Sequence, residues 1–347
     1  MSQLNDSIET KADTNDTDTS DETKKKPEFK GLDNLGNTCY MNCVIQALYS
    51  IPDFRYNLNI NGTKPLHLAL KNLFDSMAAK SDQTNVNPCE FWDIFTNYRN
   101  QFKDRQQQHD SQEFLRYLIN GLHEEVNVAK QQTKTNNGQQ LTDKRQRRPK
   151  RDKVWNRYLK FVDNSYLVMM FVGQLKSTIK CSHCESERYN WDIYWDLSLS
   201  IPETNDDIDI NTCLKEYTDV EVLDNDSMPT CETCQSKRKS FKSLSFSRIP
   251  PILIIQLKKF VNDGNKISKA VTINSQLVIK SHNYYLFAII CHNGTTCSRG
   301  HYTSYCLHNH IWYLFDDEVV HSIQTMDFNT VSSDAYILFY RSVQNHR

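Results

Sequence analysis

Two stretches of the chain carry apolar residues at helical spacing, which predicts two amphipathic helices. The first covers residues 39–51 and the second covers residues 110–122. Their apolar stripes are Met41, Val44, Ile45 and Leu48 in the first stretch, and Phe114, Leu115, Leu118, Ile119 and Leu122 in the second. Asp110 is suited to cap the start of the second helix, with Glu113 three residues later as its capping-box partner.

From about residue 175 onward the pattern becomes strand-like. Short apolar or alternating runs, which are typical of strands, lie at residues 197–201, 252–257, 284–291, 302–307, 311–315 and 335–340. Helices that come first and strands that come later predict an α+β protein.

Two polar segments interrupt this pattern. Residues 1–29 are rich in Asp, Thr, Ser, Asn and Lys, and they predict a disordered, acidic and polar tail. Residues 130–153 are polar and basic, and their end reads KRQRRPKRDK over residues 144–153. The simplest interpretation is a solvated insertion loop between helices, and the alternative is a nuclear-import or polyanion-binding patch.

Length, charge and cysteine content narrow the class of protein. The 347 residues allow one large domain or two of ordinary size, and the net charge of −1 predicts no nucleic-acid partner. The first residues are polar and the longest apolar runs are far too short to cross a bilayer, so we expect a soluble intracellular protein without a membrane partner. Eleven cysteines in such a chain favour metal or catalytic use over a disulfide framework.

Cys39 is the first candidate for chemistry. It ends a glycine-bearing turn, GLDNLGNTC over residues 31–39, and it opens the first predicted helix. At a helix N-terminus the backbone amides are unpaired and the helix dipole is positive. Both effects favour the thiolate, which is the nucleophilic form of cysteine. The position therefore predicts a reactive thiol.

Four other cysteines form two Cys-x-x-Cys pairs, Cys181 with Cys184 and Cys231 with Cys234, separated by 46 residues. Each pair lets one tight turn offer two thiolates to one ion, and two such turns complete a tetrahedral zinc site. A closed shell of four thiolates leaves no open position for chemistry, so we expect one structural Zn²⁺. A redox-active pair is the alternative, although two copies in charged, strand-rich surroundings fit it poorly.

His301 is the candidate general base. It lies on the first of two predicted strands joined near residues 308–309, and a turn centred there places it opposite Asp316. Opposed residues have Cβ atoms roughly 4.5–5.5 Å apart, within reach of an imidazole–carboxylate hydrogen bond. A slip of one residue would bring Asp317 opposite instead, on the wrong face of the sheet.

The hairpin alone leaves its function open. A surface histidine beside an acidic strand end would give the same local pattern. Spacing also gives no reason to bring His301 to Cys39, which lies about 260 residues earlier.

Several blocks of the sequence together resemble the ubiquitin-specific proteases, which are papain-like cysteine deubiquitinases. The matching blocks, in the order of the family, are residues 31–46, 107–115, 171–177, 255–260, 292–305, 312–317 and 333–340. The resemblance implies one catalytic domain over residues 30–343 with an α+β hand fold. The hand has a helical thumb, a β-rich palm and zinc-bearing fingers, at about residues 175–250, that hold ubiquitin.

The resemblance also implies roles for single residues. Cys39 would be the nucleophile, His301 the general base and later acid, and Asp316 the group that orients His301. Asn34 would donate a side-chain N–H to the oxyanion alongside the Cys39 amide, although a turn-forming role is also open. Asp317 matches a second family acid that assists near the site.

Further positions are implied to contact the C-terminal tail of ubiquitin. Asp110 and Glu113 match residues that contact its basic part, which competes with their capping role above. Gly300, together with Gly294, would leave a narrow channel for the Gly-Gly end and would exclude side chains by steric clash.

These features predict a thiol isopeptidase that cleaves after the C-terminal glycine of ubiquitin through a thioester intermediate. We expect a structural zinc ion, no organic cofactor, ubiquitin and ubiquitinated proteins as partners, and a monomer. The expected location is the cytoplasm, with the nucleus open through residues 144–153. A protease for another ubiquitin-like modifier and a silent ubiquitin-binding scaffold are the alternatives. The intact set of Cys39, His301, Asp316 and Asn34 argues against the scaffold.

Overall fold

The structure, a computed structural model, describes residues 29–129, 151–204, 206–261, 264–296 and 299–343. The predicted tail up to residue 28 and residues 130–150 of the predicted loop lie outside the described residues. Residues 151–153 begin a helix, so the predicted loop does not extend to residue 153. Trp155 of this helix is buried and Arg248 stacks on its ring, which anchors the helix to the rest of the protein.

Helices dominate the first half of the chain. They are α1 (Cys39–Tyr49), α2 (Pro52–Asn61), α3 (Pro65–Ala78), α4 (Cys89–Tyr98), α5 (Ser111–Val126), α6 (Arg151–Phe161), α7 (Tyr166–Phe171) and α8 (Ile210–Thr218). Proline starts α2 and α3, where its missing N–H costs no helical hydrogen bond. The last helix, α8, interrupts the predicted order of helices first and strands later, because Asp209 caps a short apolar turn within the strand-rich half.

Strands make up most of the second half. They are β1 (Gly31–Leu32), β2 (Asn85–Val86), β3 (Gly173–Cys181), β4 (Glu187–Tyr194), β5 (Leu197–Leu199), β6 (Glu221–Leu223), β7 (Thr230–Cys231), β8 (Ser236–Lys237), β9 (Ser240–Arg248), β10 (Ile252–Leu257), β11 (Gln276–Ile279), β12 (His282–Thr296), β13 (Arg299–His308), β14 (Ile311–Asp316), β15 (Val319–Ile323) and β16 (Ala335–Ser342). The largest sheet has the order β15-β14-β13-β12-β16-β10-β5, and β11 also pairs with β12.

Three structural parts follow from this arrangement. The helices of residues 39–126 form the thumb and the largest sheet forms the palm. The sheet β4-β3-β9-β6 and the hairpin β7-β8, which carry the cysteine pairs, form the fingers. The predicted α+β class is confirmed. In the part of the chain that the structure describes, no helix has the length and apolar character needed to span a membrane.

Helix α1 lies in the middle of the protein, and all eleven of its residues are buried. The palm strand β13 packs against α1 on one side and α5 packs against it on another. The sequence predicts one apolar stripe for this helix, yet a helix that neighbours surround on every side has no solvent-exposed face. Two of its polar residues are therefore paired inside the protein: Asn42 with Asp317, and Gln46 with the Lys30 carbonyl.

Candidate active site

Cys39 is the first residue of α1, and it is buried. The carbonyl of Thr38 accepts hydrogen bonds from the N–H groups of Met41 and Asn42, both at 3.0 Å, and these bonds begin the helix. The loop before Cys39 is held from outside, since the N–H of Asn37 donates to the Arg105 carbonyl at 2.8 Å. The thiol therefore lies at a fixed helix N-terminus.

His301 contacts both of the side chains predicted to be its partners. Its Nε2 lies 2.6 Å from Asp316 Oδ1, and the Cys39 side chain lies beside its ring. The neighbouring Cys39 is the main cause that raises the pKa of His301 to about 9, and Asp316 raises it further against the opposing effect of burial. An imidazolium between a thiol and a carboxylate stabilises a nucleophilic thiolate. The catalytic roles of the three residues stay predictions.

The hairpin register differs from the predicted one by two residues. β13 and β14 pair His308 with Ile311, so the turn consists of Asn309 and His310. Both turn residues have positive φ, 48° and 68°, as in the two-residue turns that match the twist of paired strands. A shift of two residues keeps every side chain on its own face of the sheet. The candidate base therefore still reaches its carboxylate, diagonally rather than directly.

Asp317 joins the loop before Cys39 to this hairpin. It is buried with a positive φ of 47°, and its carboxylate oxygens accept hydrogen bonds from the side-chain amides of Asn34 and Asn42, both at 2.7 Å. Its backbone carbonyl accepts the N–H of Leu32 at 2.8 Å. Burial raises the pKa of the Asp317 carboxyl. The residue therefore fixes the segments on both sides of the thiol.

Asn34 has the turn-forming role, which is one of the two roles that the sequence left open. Its Oδ1 accepts the N–H groups of Gly36 and Thr38, both at 3.0 Å, and its Nδ2 donates to Asp317. A primary amide has two N–H donors, so one remains beyond the bond to Asp317. The oxyanion role of Asn34 stays a prediction, and it would use this second donor.

Gly300 is held in place by a histidine that the sequence did not single out. A Cβ atom on Gly300 would collide with the ring of His292, which is buried. Burial, reinforced by the nearby Lys266, lowers the pKa of His292 to about 4, so this ring is neutral. His292 fills the space beside the Gly300 Cα. A ubiquitin tail that runs past Gly300 must therefore pass on a side of the residue that His292 does not cover. The tail contact of Gly300 stays a prediction.

Asp110 and Glu113 differ in what they contact. Asp110 caps α5, because its Oδ1 accepts the Gln112 N–H at 2.6 Å, and its Oδ2 accepts the Tyr336 hydroxyl at 2.6 Å. Glu113 is exposed, and its carboxylate lies 3.4 Å from Gln101 Nε2. The carboxylate of Asp110 is occupied within the fold, whereas Glu113 faces solvent. Of the two predicted tail contacts, the structure leaves Glu113 the more accessible.

Three contacts near the site were not predicted. Gln108 hydrogen-bonds Gly300 across 192 residues, Asn42 hydrogen-bonds Asp317 across 275 residues, and His292 packs on Gly300. No periodicity or motif signals them. The one available clue is general, since a buried amide requires partners even where the sequence does not say which.

The four predicted metal ligands lie together in the fingers. Their sulfur atoms are all within 4.8 Å of one another, with Cys181 4.0 Å from Cys234 and Cys184 3.6 Å from Cys231. Tetrahedral Zn–S bonds of about 2.3 Å separate the sulfurs by about 3.8 Å, so the spacing fits this ion. His183 lies beside the cluster, with its Nδ1 3.8 Å from Cys234 Sγ.

Two similar turns build this cluster. Glu185 and Gln235 each follow the second cysteine of a pair, and they have positive φ values of 57° and 54°. Each donates its N–H to the carbonyl of the first cysteine, at 3.1 Å and 2.8 Å. The two pairs therefore present their sulfurs in the same local geometry.

Thiols this close together share their protons unevenly. The Ser186 hydroxyl lowers the pKa of Cys231 to about 5, whereas the neighbouring Cys184 raises the pKa of Cys234 to about 12. Thiolates crowded in this way repel one another unless a cation lies among them. The donor set therefore fits a divalent metal ion with a preference for sulfur.

A buried thiol at a helix N-terminus, an imidazole beside it and a carboxylate hydrogen-bonded to that imidazole are the arrangement of a cysteine hydrolase. Comparison with known proteins narrows this class. The family model described as ubiquitin carboxyl-terminal hydrolase matches residues 30–340. The chain belongs to this family.

Relatives of similar sequence carry the same description. Ubiquitin carboxyl-terminal hydrolase 2 of Bos taurus is 34% identical and the match covers 92% of this chain and 56% of the relative. Usp2 of Drosophila melanogaster is 34% identical, over 93% of this chain and 36% of the relative. Ubiquitin carboxyl-terminal hydrolase 21 of Homo sapiens is 30% identical, and the match covers 90% of this chain and 61% of the relative. The chain thus spans about half the length of these relatives.

Solved structures show the same fold. A chain of the SAGA DUB module of Ubp8, Sgf11, Sus1 and Sgf73 bound to ubiquitin aldehyde is similar with a TM-score of 0.70 and 22% identity, over 93% of this chain and 71% of that chain. A chain of the same module bound to monoubiquitin is similar with a TM-score of 0.72 and 23% identity, and the match covers 92% of this chain and 70% of that chain. The predicted hand fold is confirmed by this likeness.

Proposed function

We propose that this chain is a thiol deubiquitinase, which hydrolyses the peptide or isopeptide bond after the C-terminal glycine of ubiquitin. The observation that carries the proposal is the position of His301, which lies beside the Cys39 side chain and hydrogen-bonds Asp316. The family membership of the chain supports ubiquitin as the substrate.

The first half of the reaction is an acyl transfer. The Cys39 thiolate attacks the carbonyl carbon of the ubiquitin C-terminal glycine, and a C–S bond forms. The carbonyl oxygen becomes an oxyanion, for which the Cys39 backbone N–H and the second N–H of Asn34 are the available donors. One such donor is worth about 2.7–4 kcal/mol in the transition state. His301 then protonates the leaving amine as the C–N bond breaks.

The second half returns the enzyme to its starting state. Water attacks the thioester carbon, and His301 takes a proton from that water. The C–S bond breaks, ubiquitin leaves with a free carboxylate, and Cys39 leaves as a thiolate beside protonated His301. Asp316 keeps the imidazole in one orientation through both halves, which is the work of the third member of a triad.

A cleft beside α5 suits the tail of the substrate. Its volume is about 420 Å³, and its lining residues include Glu113, Arg116, Trp195, Asp196 and Ile254. Burial raises the pKa of Asp196, and Arg116 lies 3.7 Å from its carboxylate. Asp196 is therefore already paired within the cleft, and Glu113 is the exposed carboxylate that a basic peptide tail could contact. We propose that Glu113 contacts that tail.

The cysteine cluster would hold one Zn²⁺ through Cys181, Cys184, Cys231 and Cys234. Zinc bound by four thiolates supplies structure rather than chemistry. We propose that the ion holds the two turns of the fingers together, so that these strands can contact the folded part of ubiquitin.

The function is tested with ubiquitin whose C-terminus carries a thiol-reactive group. Wild-type protein is expected to form a covalent adduct of one ubiquitin per chain, and Cys39→Ala is expected to form none. Absence of the wild-type adduct, or an adduct that survives the substitution, would refute the proposal. Parallel reactions with other ubiquitin-like modifiers test the alternative substrate class. A monomer in the cytoplasm or nucleus stays a prediction from the sequence.

A further inference from the structure

Gln108 makes an unusual pair of contacts with the backbone of Gly300, the residue directly before His301. Its Nε2 donates to the Gly300 carbonyl at 2.7 Å, and its Oε1 accepts the Gly300 N–H at 3.0 Å. A flipped amide would place donor against donor and acceptor against acceptor, so the two bonds fix the orientation of the Gln108 side chain. One side chain thus satisfies both polar groups of one backbone residue.

Gly300 needs such a partner because the sheet is incomplete around it. On one side, β14 is last paired with β13 at Phe315 opposite Ser304 and does not extend as far as Gly300. On the other side, the pairing of β12 with β13 shifts register between Asn293 and Thr296. The Gln108 amide therefore takes the place of a neighbouring strand at the point where β13 leads into His301.

The segment that carries Gln108 is itself firmly held. The His109 ring packs against Tyr40 and Phe102, with ring centroids 5.3 Å and 4.7 Å away. Asp110 caps α5 and binds the Tyr336 hydroxyl of the palm. Gln108 is therefore the end of a rigid thumb segment, and its amide reaches the palm strand that carries the candidate base.

We propose that Gln108 is a positioning residue, which locks the start of β13 to the thumb and so sets the position of His301 relative to Cys39. This inference rests on the proposed function. A displacement of about 1 Å in a reacting group can lower a rate by about 100-fold. The Gln108 amide bonds the residue next to His301, and the thumb that carries it packs around the helix of Cys39.

The experiment compares Gln108→Ala and Gln108→Glu with Gln107→Ala. The glutamate keeps the size of the side chain and can accept the Gly300 N–H, but it cannot donate to the Gly300 carbonyl. Gln107 is the exposed neighbouring glutamine and serves as the matched control. Three quantities are measured: kcat and KM with a ubiquitin that carries a C-terminal fluorogenic amide, the pH profile of Cys39 alkylation by iodoacetamide, and the melting temperature.

Positioning predicts a fall in kcat of about 10-fold to 100-fold in both Gln108 variants, with KM within about twofold of wild type. The alkylation profile of free enzyme should shift to higher pH, because a displaced His301 stabilises the thiolate less. Gln107→Ala should match wild type in every measurement. If Gln108→Ala does not fold, Gln108→Glu carries the test.

Two results would overturn the inference. A rise in KM with unchanged kcat and an unchanged alkylation profile would make Gln108 a substrate contact. An unchanged kcat in both folded variants would make the two hydrogen bonds irrelevant to catalysis. The alkylation profile needs no ubiquitin, so a shift in it supports the positioning role even if wild-type protein cleaves no ubiquitin substrate. Failure of the wild-type protein to cleave ubiquitin substrates would refute the proposed function and leave the positioning role of Gln108 standing.

Discussion

The active site and the cysteine cluster of the fingers both depend on thiols at turns, but they are assembled in opposite ways. Each half of the cluster is a Cys-x-x-Cys turn closed by a residue with positive φ, so five consecutive residues contain nearly all the information it needs. The active site combines a loop near residue 34, a helix start at Cys39 and a hairpin about 260 residues later. No segment of it has the required geometry alone.

The difference teaches that the neighbours of a thiol decide its chemistry. In the fingers, thiols face thiols, and a shared cation would relieve the crowding. At Cys39, a thiol faces an imidazole whose pKa is raised to about 9, which is the kind of neighbour that activates a cysteine nucleophile. A variant that exchanges or removes these neighbours should therefore affect one site and spare the other.

The largest expected effect comes from Cys39→Ala. We expect hydrolysis of a fluorogenic ubiquitin substrate to fall by about 10⁴-fold or more, because the nucleophile is gone. Zinc content should stay at the wild-type value, since the cluster builds itself from local turns. Residual activity above about one per cent of wild type would count against Cys39 as the nucleophile.

Loss of a metal-binding cysteine should have the opposite pattern, with reduced zinc binding and an unaffected Cys39 thiol. Cys231→Ala is expected to reduce bound zinc to well under one equivalent and to open the fingers to proteolysis, because structural zinc sites contribute about 10–16 kcal/mol in small metal-dependent domains. Metal analysis and limited proteolysis measure this. Alkylation of Cys39 by iodoacetamide should be unchanged. Cys89→Ala, a cysteine of neither site, is the control, and a full zinc equivalent in Cys231→Ala would contradict the four-thiolate site.

Asp317→Ala tests the link between the cysteine loop and the hairpin. The substitution removes the acceptor of the half-buried Asn34 amide and leaves the buried Asn42 amide only its longer bonds to the Leu32 and Asp33 carbonyls. An unpaired buried donor costs about 1–3 kcal/mol. We expect a lower melting temperature together with a lower kcat, and an unchanged zinc content. A variant with wild-type kcat would show that Asp317 matters only for stability.

The pH dependence of stability should report the His301 pair. The folded-state pKa of His301 is about 9, above its ordinary value of 6.5, so folding favours the protonated ring. Its contribution is therefore complete below about pH 6.5 and is lost as the pH rises through 9. Wild type should lose melting temperature over this range more than His301→Ala does. If the melting temperatures of the two proteins fell equally with pH, the raised pKa of His301 would be contradicted.

The smallest effect is expected at Glu113. This carboxylate is exposed, so its contact with a basic tail is worth at most about 1 kcal/mol, or roughly fivefold in KM. Glu113→Gln should raise KM within that limit at low salt and less at high salt, with kcat unchanged. An unchanged KM at low salt would remove Glu113 from the tail contacts.

The sequence predicted the features that short segments encode. The helix starts at Cys39 and after Asp110, the two cysteine turns and the face of the sheet that carries His301 all follow from spacing and periodicity. The hairpin register was wrong by two residues, because Asn309 and His310 both accept a left-handed backbone and move the turn by one position. The contact survived because side chains alternate with a period of two along a strand.

Spacing and periodicity within short segments do not predict long-range contacts. Nothing in spacing pairs Asn34 with Asp317 or Gln108 with Gly300, since each pair is joined only when the palm closes against the thumb. The complete burial of α1 was likewise invisible, because the neighbours that cover its polar residues lie elsewhere in the chain. The family resemblance supplied the meeting of Cys39 and His301, which local rules could not.

The order of assembly has a consequence during protein synthesis. Helix α1 leaves the ribosome early, yet β13 and β14 are made about 260 residues later. At about 5–20 residues per second, roughly 13–50 seconds pass between the two events. Until then Cys39 has no imidazole, so the nascent chain carries the thiol without its proposed partner. The thumb helices that follow α1 can cover part of it meanwhile, whereas the side that β13 covers stays open until the palm is made.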